Sequence, residues 1–441
     1  MTSASPIAGN PENSPAGPAL FTDHYELTML RAALRDGTAD RRCSFELFSR
    51  RLPEGRRYGV VAGTGRLLEA ITSFRYDEQE LAFLVESEVI DEPTRDWLAA
   101  YRFTGDVSGY AEGELYFPGS PILTVDATFA QGVVLETLAL SILNHDAAVA
   151  SAAARMVVAA GDRPCIEMGS RRTHEEAAVA AARAAYLSGF SATSNLAAGF
   201  QYGVPTAGTA AHAYTLLHDK EADAFRSQVE ALGLDTTLLV DTYDIAAGIR
   251  TAIEVAGPEL GAIRIDSGDL AVLAHQSRAL LDELGAHKTR IVLSGDLDEF
   301  GLAALAGAPV DAYGVGTSVV TGSGAPTAGF VYKLVEVEGR PVAKRSEDKM
   351  THGGRKTAVR RHRPTGTAVE EVLRSQRAPS SRDGDRPLQV PFVRGGELAA
   401  DPPSLTGSRD HLREVLTTLP WEGLKLSRGE PAIPTIYEES R

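Results

Sequence analysis

The chain has 441 residues, 43% hydrophobic and 23% charged, with a formal net charge of −15, enough for a sizeable core and more than one domain. The acidic balance excludes general nucleic-acid binding, which needs a basic footprint to displace phosphate counterions. No apolar run reads as a bilayer span, the start "MTSASPIAGNPENSPAGPA" lacks a signal-peptide pattern, and Cys43 and Cys165 lie far apart without metal-ligand spacing, so a cytoplasmic, reduced, membrane-free protein is expected.

Residues 1–20 are rich in Pro, Ala, Ser and Gly and are predicted to be disordered. Order is expected from "FTDHYELTML", where Asp23 and Glu26 have capping-box spacing and Leu27, Leu30 and Leu34 share a helical face. "CSFELFSRRLPEGRRYGVVAGTGRLLEAI" reads as a strand, a basic loop and a second apolar run leading into a helix. Gly63-Thr64-Gly65 is half a dinucleotide fingerprint without its third glycine and reads as a tight turn.

From about residue 120, short apolar runs end in small or polar residues and are followed by helical stretches. The runs are "PILTVDAT", "CIEMGSRR", "YGVPTAGTAAH", "TLLVDTYD", "GAIRIDSGD", "RIVLSGDLD" and "VDAYGVGTS". Such alternation predicts βαβ units and a parallel sheet, and seven runs fit a barrel better than a doubly wound sheet. Thr173 and Glu176 have capping-box spacing before "AAVAAARAAYL", with Gly189 placed to end that helix. "FVYKLVEVEGRPVAKRS" reads as an antiparallel hairpin turning at Glu338-Gly339-Arg340. Residues from about 362 to 400 read as long surface loops before a last helix near "SRDHLREVLTTL". The expected division is a disordered segment 1–20, a sheet domain made from 21–119 and 329–441, and an α/β barrel over 120–328.

In parallel α/β folds the chemistry collects at the carboxyl ends of strands. Here those ends carry Arg171 and Arg172, Thr209 and His212, Asp241 and Asp244, Arg264 with Asp266 and Asp269, Ser294 with Asp296, and Gly314, Gly316 and Thr317. A single such Asp reads as a helix N-cap; a whole rim of polar ends reads as a site. The glycines of "LSGDLDE" and "YGVGTSVVTG" read as a phosphate cradle ahead of plain turns. Asp266 and Asp269 suit ribose hydroxyls or Mg2+, with helix capping the competing reading for Asp269. His212 is open to two readings, a structural histidine or a nucleophile toward phosphorus. Its small neighbours leave room for a substrate, and Asp241 at the next strand end is the carboxylate that would fix its tautomer.

The ordered stretches "TDHYELTML", "FSRRLPEG", "EMGSRRTHEEA", "GFSATSN", "GTAAH", "VDTYD", "RIDSGDL", "SGDLDE" and "YGVGTSVVTG" resemble the nicotinate phosphoribosyltransferase family over roughly residues 20–360. The resemblance implies a distorted seven-stranded (β/α) barrel of the type II phosphoribosyltransferase kind, with an α+β sheet domain built from both chain ends. It implies ATP-coupled transfer of phosphoribosyl from phosphoribosyl pyrophosphate to nicotinate, through a phosphohistidine and with Mg2+, in a homodimer whose sites lie at the interface. By this resemblance His212 is the phosphorylated residue and Asp241 orients it, while Tyr25 stacks on the pyridine ring from the partner subunit. Thr209 and Arg264 bind nicotinate, and Asp266 holds the ribose. Ser294 counts with the substrate contacts, and Gly295, Asp296, Gly316 and Thr317 hold the 5'-phosphate. Arg50 and Arg171 face pyrophosphate or ATP; the Mg2+ ligands are unassigned. A nicotinamide or quinolinate enzyme of the same barrel type and a non-catalytic nucleotide sensor are the competing readings. Ser and Thr in "GFSATSN" disfavour nicotinamide, and quinolinate chemistry needs neither His212 nor ATP. A phosphate-binding aldolase would want a strand-end lysine, which none of the seven runs supplies.

Overall fold

The computed structural model describes residues 17–344, 352–375, 385–401 and 404–438. The alternating pattern of the middle of the chain folds into a six-stranded parallel sheet. Its strands, in spatial order, are Ala192–Thr193, Cys165–Glu167, Ala312–Val315, Arg290–Gly295, Ala262–Ile265 and Thr237–Leu239. Two of the seven expected runs are not in it. Leu123–Thr128 pairs antiparallel with Arg42–Ser49 and Asp106–Tyr110 in another sheet. The run 202–212 forms no strand: Pro205 offers no N–H to a ladder, and a single bridge joins Thr206 to Thr193. The sixth strand comes instead from "GFSATSN".

The second sheet has seven antiparallel strands taken from both chain ends. Phe330–Val337 pairs with Arg42–Ser49, and Gln389–Arg394 pairs with Asp106–Tyr110. The hairpin turns at Glu338 and Gly339, both at positive φ (51° and 72°), as a two-residue turn of matching twist requires. The region expected as surface loops is largely strand. Lys356–His362, Ala368–Ser375, Asp385–Pro387 and Thr435–Glu438 form a four-stranded sheet. Arg360 is fully buried there, donating to Glu114 (2.5 Å), Glu371 (2.8 Å) and the carbonyl of Leu115 (2.7 Å), so charge in the sequence does not mark surface. The last helix is Leu405–Thr417.

Residues 1–16 lie outside the described residues, but the end of the segment expected to be disordered is built in: Pro18–Phe21 is a short 3-10 helix with Ala19 buried, tied down by a Gly17 N–H to Glu80 bond of 2.7 Å. Two capping expectations also change. Asp23 makes no side-chain cap bond, and Glu26 is buried and accepts the backbone N–H of Thr137 at 3.0 Å. The helix Glu175–Leu187 is capped by the His174 ring, not by Thr173. Gly63 (φ 94°) opens the helix Thr64–Ser73 and donates to Glu112 at 2.7 Å. A Cβ there would lie 3.0 Å from Asp146 Oδ2, so the glycine lets the turn press against buried ion pairs of Asp146 with Arg66 and Glu112 with Arg183.

The helix Glu136–Ala160 runs between the two halves. Ala147, Ala150, Ala152, Ala153 and Ala154 are buried, and small side chains let the neighbouring helix Glu175–Leu187 approach closely. Together with the short helix before it, Phe129–Ala160 is long and apolar enough by length and composition to cross a membrane, contrary to the expectation that no such run exists. Most of its apolar window is instead buried against the rest of the fold, forming the spine of the core.

Candidate active site

The parallel register sets the strand ends side by side: Leu239 pairs with Arg264, Leu293 with Ile265, and Gly295 with Val315. Arg264 sits within its strand yet leans toward this rim, because strand neighbours supply its acceptors. Its Nε donates to Ser294 Oγ (2.7 Å), Nη2 to Asp266 Oδ1 (3.0 Å) and Nη1 to Thr209 Oγ1 (3.2 Å). Ser294 Oγ in turn donates to Asp266 Oδ1 at 2.5 Å. Burial works to raise the Asp266 carboxyl, but the Ser294 hydroxyl and the Arg264 guanidinium outweigh it and hold the group below its ordinary value. It is a carboxylate at neutral pH.

Asp241 continues the chain of bonds. Its Oδ2 accepts the Asp266 backbone N–H (2.9 Å) and the Ser267 hydroxyl (2.8 Å), fixing the whole "RIDSG" turn against the neighbouring strand end. The other oxygen, Oδ1, is buried without a hydrogen bond among the described residues and lies 3.9 Å from His212 Nε2. A buried carboxylate oxygen left over is costly unless a charged or polarised partner arrives. His212 opens the short helix His212–Leu216, and its Nδ1 lies 3.1 Å from Thr242 Oγ1. The imidazole is thus held by Thr242 on one side and faces the Asp241 carboxylate beyond hydrogen-bond distance on the other, while 40% of its side chain stays open to solvent. Thr209, His212, Asp241, Arg264, Asp266 and Ser294 therefore form one connected cluster.

The remaining expected residues flank it. Gly295 (φ 139°) is a position where an L side chain is strained, and a Cβ there would meet the Asp266 carbonyl at 3.2 Å. Asp296 is exposed, and the helix after it is already capped by Asp298, which takes the N–H groups of Phe300 and Gly301. Thr317 is exposed at the start of the helix Thr317–Val320, which begins at Gly316 without a side-chain cap. Arg171 and Arg50 are both exposed, with no hydrogen bond to the cluster among the described residues. Tyr25 is on the other sheet domain, 44% exposed, its phenol raised by burial and by Glu136 and Glu26. Among the described residues no hydrogen bond or ring contact joins Tyr25 to the strand-end cluster.

Several residues escaped the sequence reading. Thr242 and Ser267 follow Asp241 and Asp266 by one position, a spacing with no distinctive signal. Glu167, buried at the end of its strand, accepts from the Gly169 N–H and the Thr193 hydroxyl, and Asn195 Nδ2 donates to Ser170 Oγ at 3.0 Å, so the turn before Arg171 is tied to the next strand. Among the described residues no group of three or more His, Cys, Asp or Glu side chains could hold a metal ion. That donor set fits Mg2+ only as an ion that keeps substrate phosphates among its ligands, with one or two carboxylates from the protein.

A six-stranded parallel sheet whose rim gathers Arg264, Asp241, Asp266 and two glycine turns, with His212 brought in from the helix beside it, defines the chain as an α/β protein with a polar, partly open cluster at its strand ends. The nicotinate phosphoribosyltransferase N-terminal domain family matches residues 20–144. The nicotinate phosphoribosyltransferase pncB1 of Mycobacterium tuberculosis is 62% identical over 437 residues, covering 97% of this chain and 96% of its own. The nicotinate phosphoribosyltransferase of Bacillus subtilis is 38% identical over 78% of this chain and 73% of its own. Human nicotinic acid phosphoribosyltransferase superposes with a TM-score of 0.82 at 27% identity, covering 95% of this chain and 97% of its own. The chain belongs to the nicotinate phosphoribosyltransferase family. The likeness extends past residue 360, where the motifs thin out.

Proposed function

We propose that the protein transfers phosphoribosyl from phosphoribosyl pyrophosphate to nicotinate, giving nicotinate mononucleotide and pyrophosphate for NAD salvage, with ATP hydrolysed to ADP and phosphate through a phosphohistidine at His212. The observation that carries this reading is the continuous cluster from Thr209 through Arg264, Asp266 and Asp241 to His212. In the transfer the C1–O bond to pyrophosphate breaks as the pyridine nitrogen bonds to C1. Asp266 stands ready to face the positive charge that builds on the ribose, and Thr209 and Arg264 suit the nicotinate carboxylate. Gly295, Asp296, Gly316 and Thr317 are assigned to the 5'-phosphate, and Arg50 and Arg171 to pyrophosphate or ATP. Mg2+, when bound, supplies charge neutralisation on the phosphate oxygens.

In the ATP step an imidazole nitrogen of His212 attacks the γ-phosphorus and the bonding pair leaves with ADP; Asp241, buried behind the ring, stabilises the cationic imidazole that results. Exposed Phe21 (56%) and Tyr25 on one side, and Leu196 (76%) and Phe200 (93%) one turn apart on the helix Leu196–Tyr202, support pairing of two copies, with Tyr25 completing the partner's site. The test is product formation from nicotinate, nicotinamide or quinolinate, with and without ATP, together with γ-labelled ATP. Nicotinate is expected to be the substrate, and His212→Ala to lose labelling and ATP coupling. Use of nicotinamide in its place, or a labelled His212→Ala protein, would overturn the reading.

A further inference from the structure

We propose that Arg56 and Glu299 form a positioning strut that holds the loop bearing Arg50 at a fixed distance from the Gly295 and Gly316 turns. A substrate with a phosphate at one end and a diphosphate at the other is then gripped at both ends together. The inference rests on the roles proposed above for Arg50 and for the glycine turns.

The loop 50–57 carries four arginines, and they part company. Arg50 and Arg51 are exposed, and Arg57 donates to the carbonyls of Ser427 (3.1 Å) and Arg428 (3.1 Å). Arg56 alone turns inward, its side chain 5% exposed. The loop is short and tied at its base: Arg56 N–H donates to the Pro53 carbonyl (3.0 Å), and Gly119 N–H to the Ser49 carbonyl (2.7 Å). Holding Arg56 therefore holds the guanidinium-bearing residues before it.

Arg56 reaches the segments that lead out of the two glycine turns. Nη1 donates to Glu299 Oε1 at 3.0 Å and Nη2 to the Gly322 carbonyl at 2.7 Å. Glu299 is the first residue of the helix that follows the Gly295–Asp296 turn, and Gly322 ends the segment that begins at Gly316 and Thr317. One guanidinium thus joins the two segments that follow the glycine turns. The carboxylate is pinned further, by Arg155 Nε on Oε1 (3.1 Å) and Ser323 Oγ on Oε2 (2.5 Å). Ser323 sits at φ 51°, an uncommon conformation for a non-glycine residue, which the Glu299 bond helps to hold. A Cβ on Gly322 would fall 2.2 Å from the Ala325 carbonyl, so that backbone admits no other residue.

A buried ion pair is a poor source of net stability, because desolvation offsets much of the attraction. Its forked geometry is what an apolar pair of the same volume lacks. Lysine, a single point charge, keeps the pairing with Glu299 but not the second arm to Gly322.

The test uses the full-length protein with Arg56→Lys, Glu299→Gln, the double variant, and Arg50→Ala as the reference. Initial rates are measured with phosphoribosyl pyrophosphate and nicotinate varied separately, and melting temperature is recorded for each. Arg56→Lys and Glu299→Gln are each expected to raise the KM for phosphoribosyl pyrophosphate about tenfold, leaving the nicotinate KM unmoved and kcat within about threefold. The double variant should be no worse than the worse single one, since both break one strut. An equal rise in both KM values, or a fall in melting temperature with neither KM changed, overturns the inference. If Arg50→Ala raises that KM and Arg56→Lys does not, the strut alone is wrong. If Arg50→Ala leaves it unmoved, the loop's assigned role fails and the strut falls with it. Should Arg56→Lys not fold, Glu299→Gln and Ser323→Ala carry the same measurement.

Discussion

Two arginine–carboxylate networks in this molecule use the same chemistry to opposite ends. Around Arg360 the guanidinium is fully buried between Glu114 and Glu371. Glu114 also takes Arg386 (2.7 Å) and His411 (3.1 Å), and Glu371 also takes the hydroxyls of Tyr110 (2.7 Å) and Ser120. Burial alone would raise Glu114, but Arg360, His411 and Arg386 together hold it well below the usual carboxylate range. Both carboxylates are crowded with donors. Around Arg264 the partners are just as close, yet the cluster opens to solvent at Thr209 and His212 and leaves Asp241 Oδ1 unmatched. The Arg360 network is sealed in the interior, where only the donors Arg360 Nε and Arg386 Nη2 go without a bond among the described residues; the Arg264 cluster leaves a carboxylate oxygen bare beside a half-open histidine, and so has capacity for something that arrives. The distinction lies in access: the unmatched atoms around Arg360 are out of reach of solvent-borne groups, whereas the unmatched Asp241 oxygen faces a histidine whose side chain is 40% exposed.

The two networks should fail differently when broken. Arg360→Met strands Glu371 in the interior without its cation, and is expected to cost about 3–5 kcal/mol of unfolding free energy in urea titrations. Turnover per folded molecule should stay within about twofold. Arg264→Met is expected to do the reverse, lowering kcat/KM for nicotinate about a hundredfold with a smaller loss of stability, about 1–2 kcal/mol, because Asp266 keeps its Ser294 bond and lies nearer to solvent than Glu371. If both substitutions moved stability and neither moved turnover, the contrast between a brace and a site would collapse.

A third, smaller case lies between them. Glu26 is buried with Oε1 bonded to Thr137 and Oε2 without a partner among the described residues. Burial pushes its carboxyl up to about 7 despite the Thr137 bonds. Because the folded form holds a proton that the unfolded chain has already released, this group's contribution to stability is full below the ordinary carboxylate range and declines as pH rises through about 7. Glu26→Gln should remove that decline, so the variant gains on the order of 1 kcal/mol over the parent at pH 8 and nothing at about pH 4. An equal difference at both pH values would show that Glu26 titrates as an ordinary carboxyl.

What was legible in the sequence follows from how each signal arises. Runs such as "TLLVDTYD" and "RIVLSGDLD" announce strands because a strand buried on both faces must be continuously apolar and its end must turn polar. The hairpin at Glu338–Gly339 was legible through its turn chemistry. The strands around Arg360 and Glu371 were not, because their charges are satisfied by partners distant in sequence, and a reading by composition assigns such residues to the surface. The site's acids were legible as polar strand ends, with Asp241 and Asp266 where parallel topology puts them; His212 was legible only as a polar residue among small ones, since it opens a helix and ends no strand. Thr242, Ser267 and the inward turn of Arg56 were not. A hydroxyl beside an aspartate is common, and nothing in "EGRRY" separates Arg56 from Arg57. The strand expected at 202–212 failed for a local reason, since Pro205 withholds a ladder donor and the residues beyond it serve the site instead.

The seven-stranded sheet also sets an order of assembly. Arg42–Ser49 leaves the ribosome long before one of its two neighbours, Phe330–Val337, which emerges only after the entire parallel sheet has been made. Until then a strand seven of whose eight residues are buried in the finished protein keeps one edge open. Domains fold as they are synthesised, and an unpaired apolar edge is a template for wrong partners. The early half of this protein thus spends most of its synthesis as an acceptor in waiting, and a chain stopped short of Phe330 would carry that open edge for its lifetime.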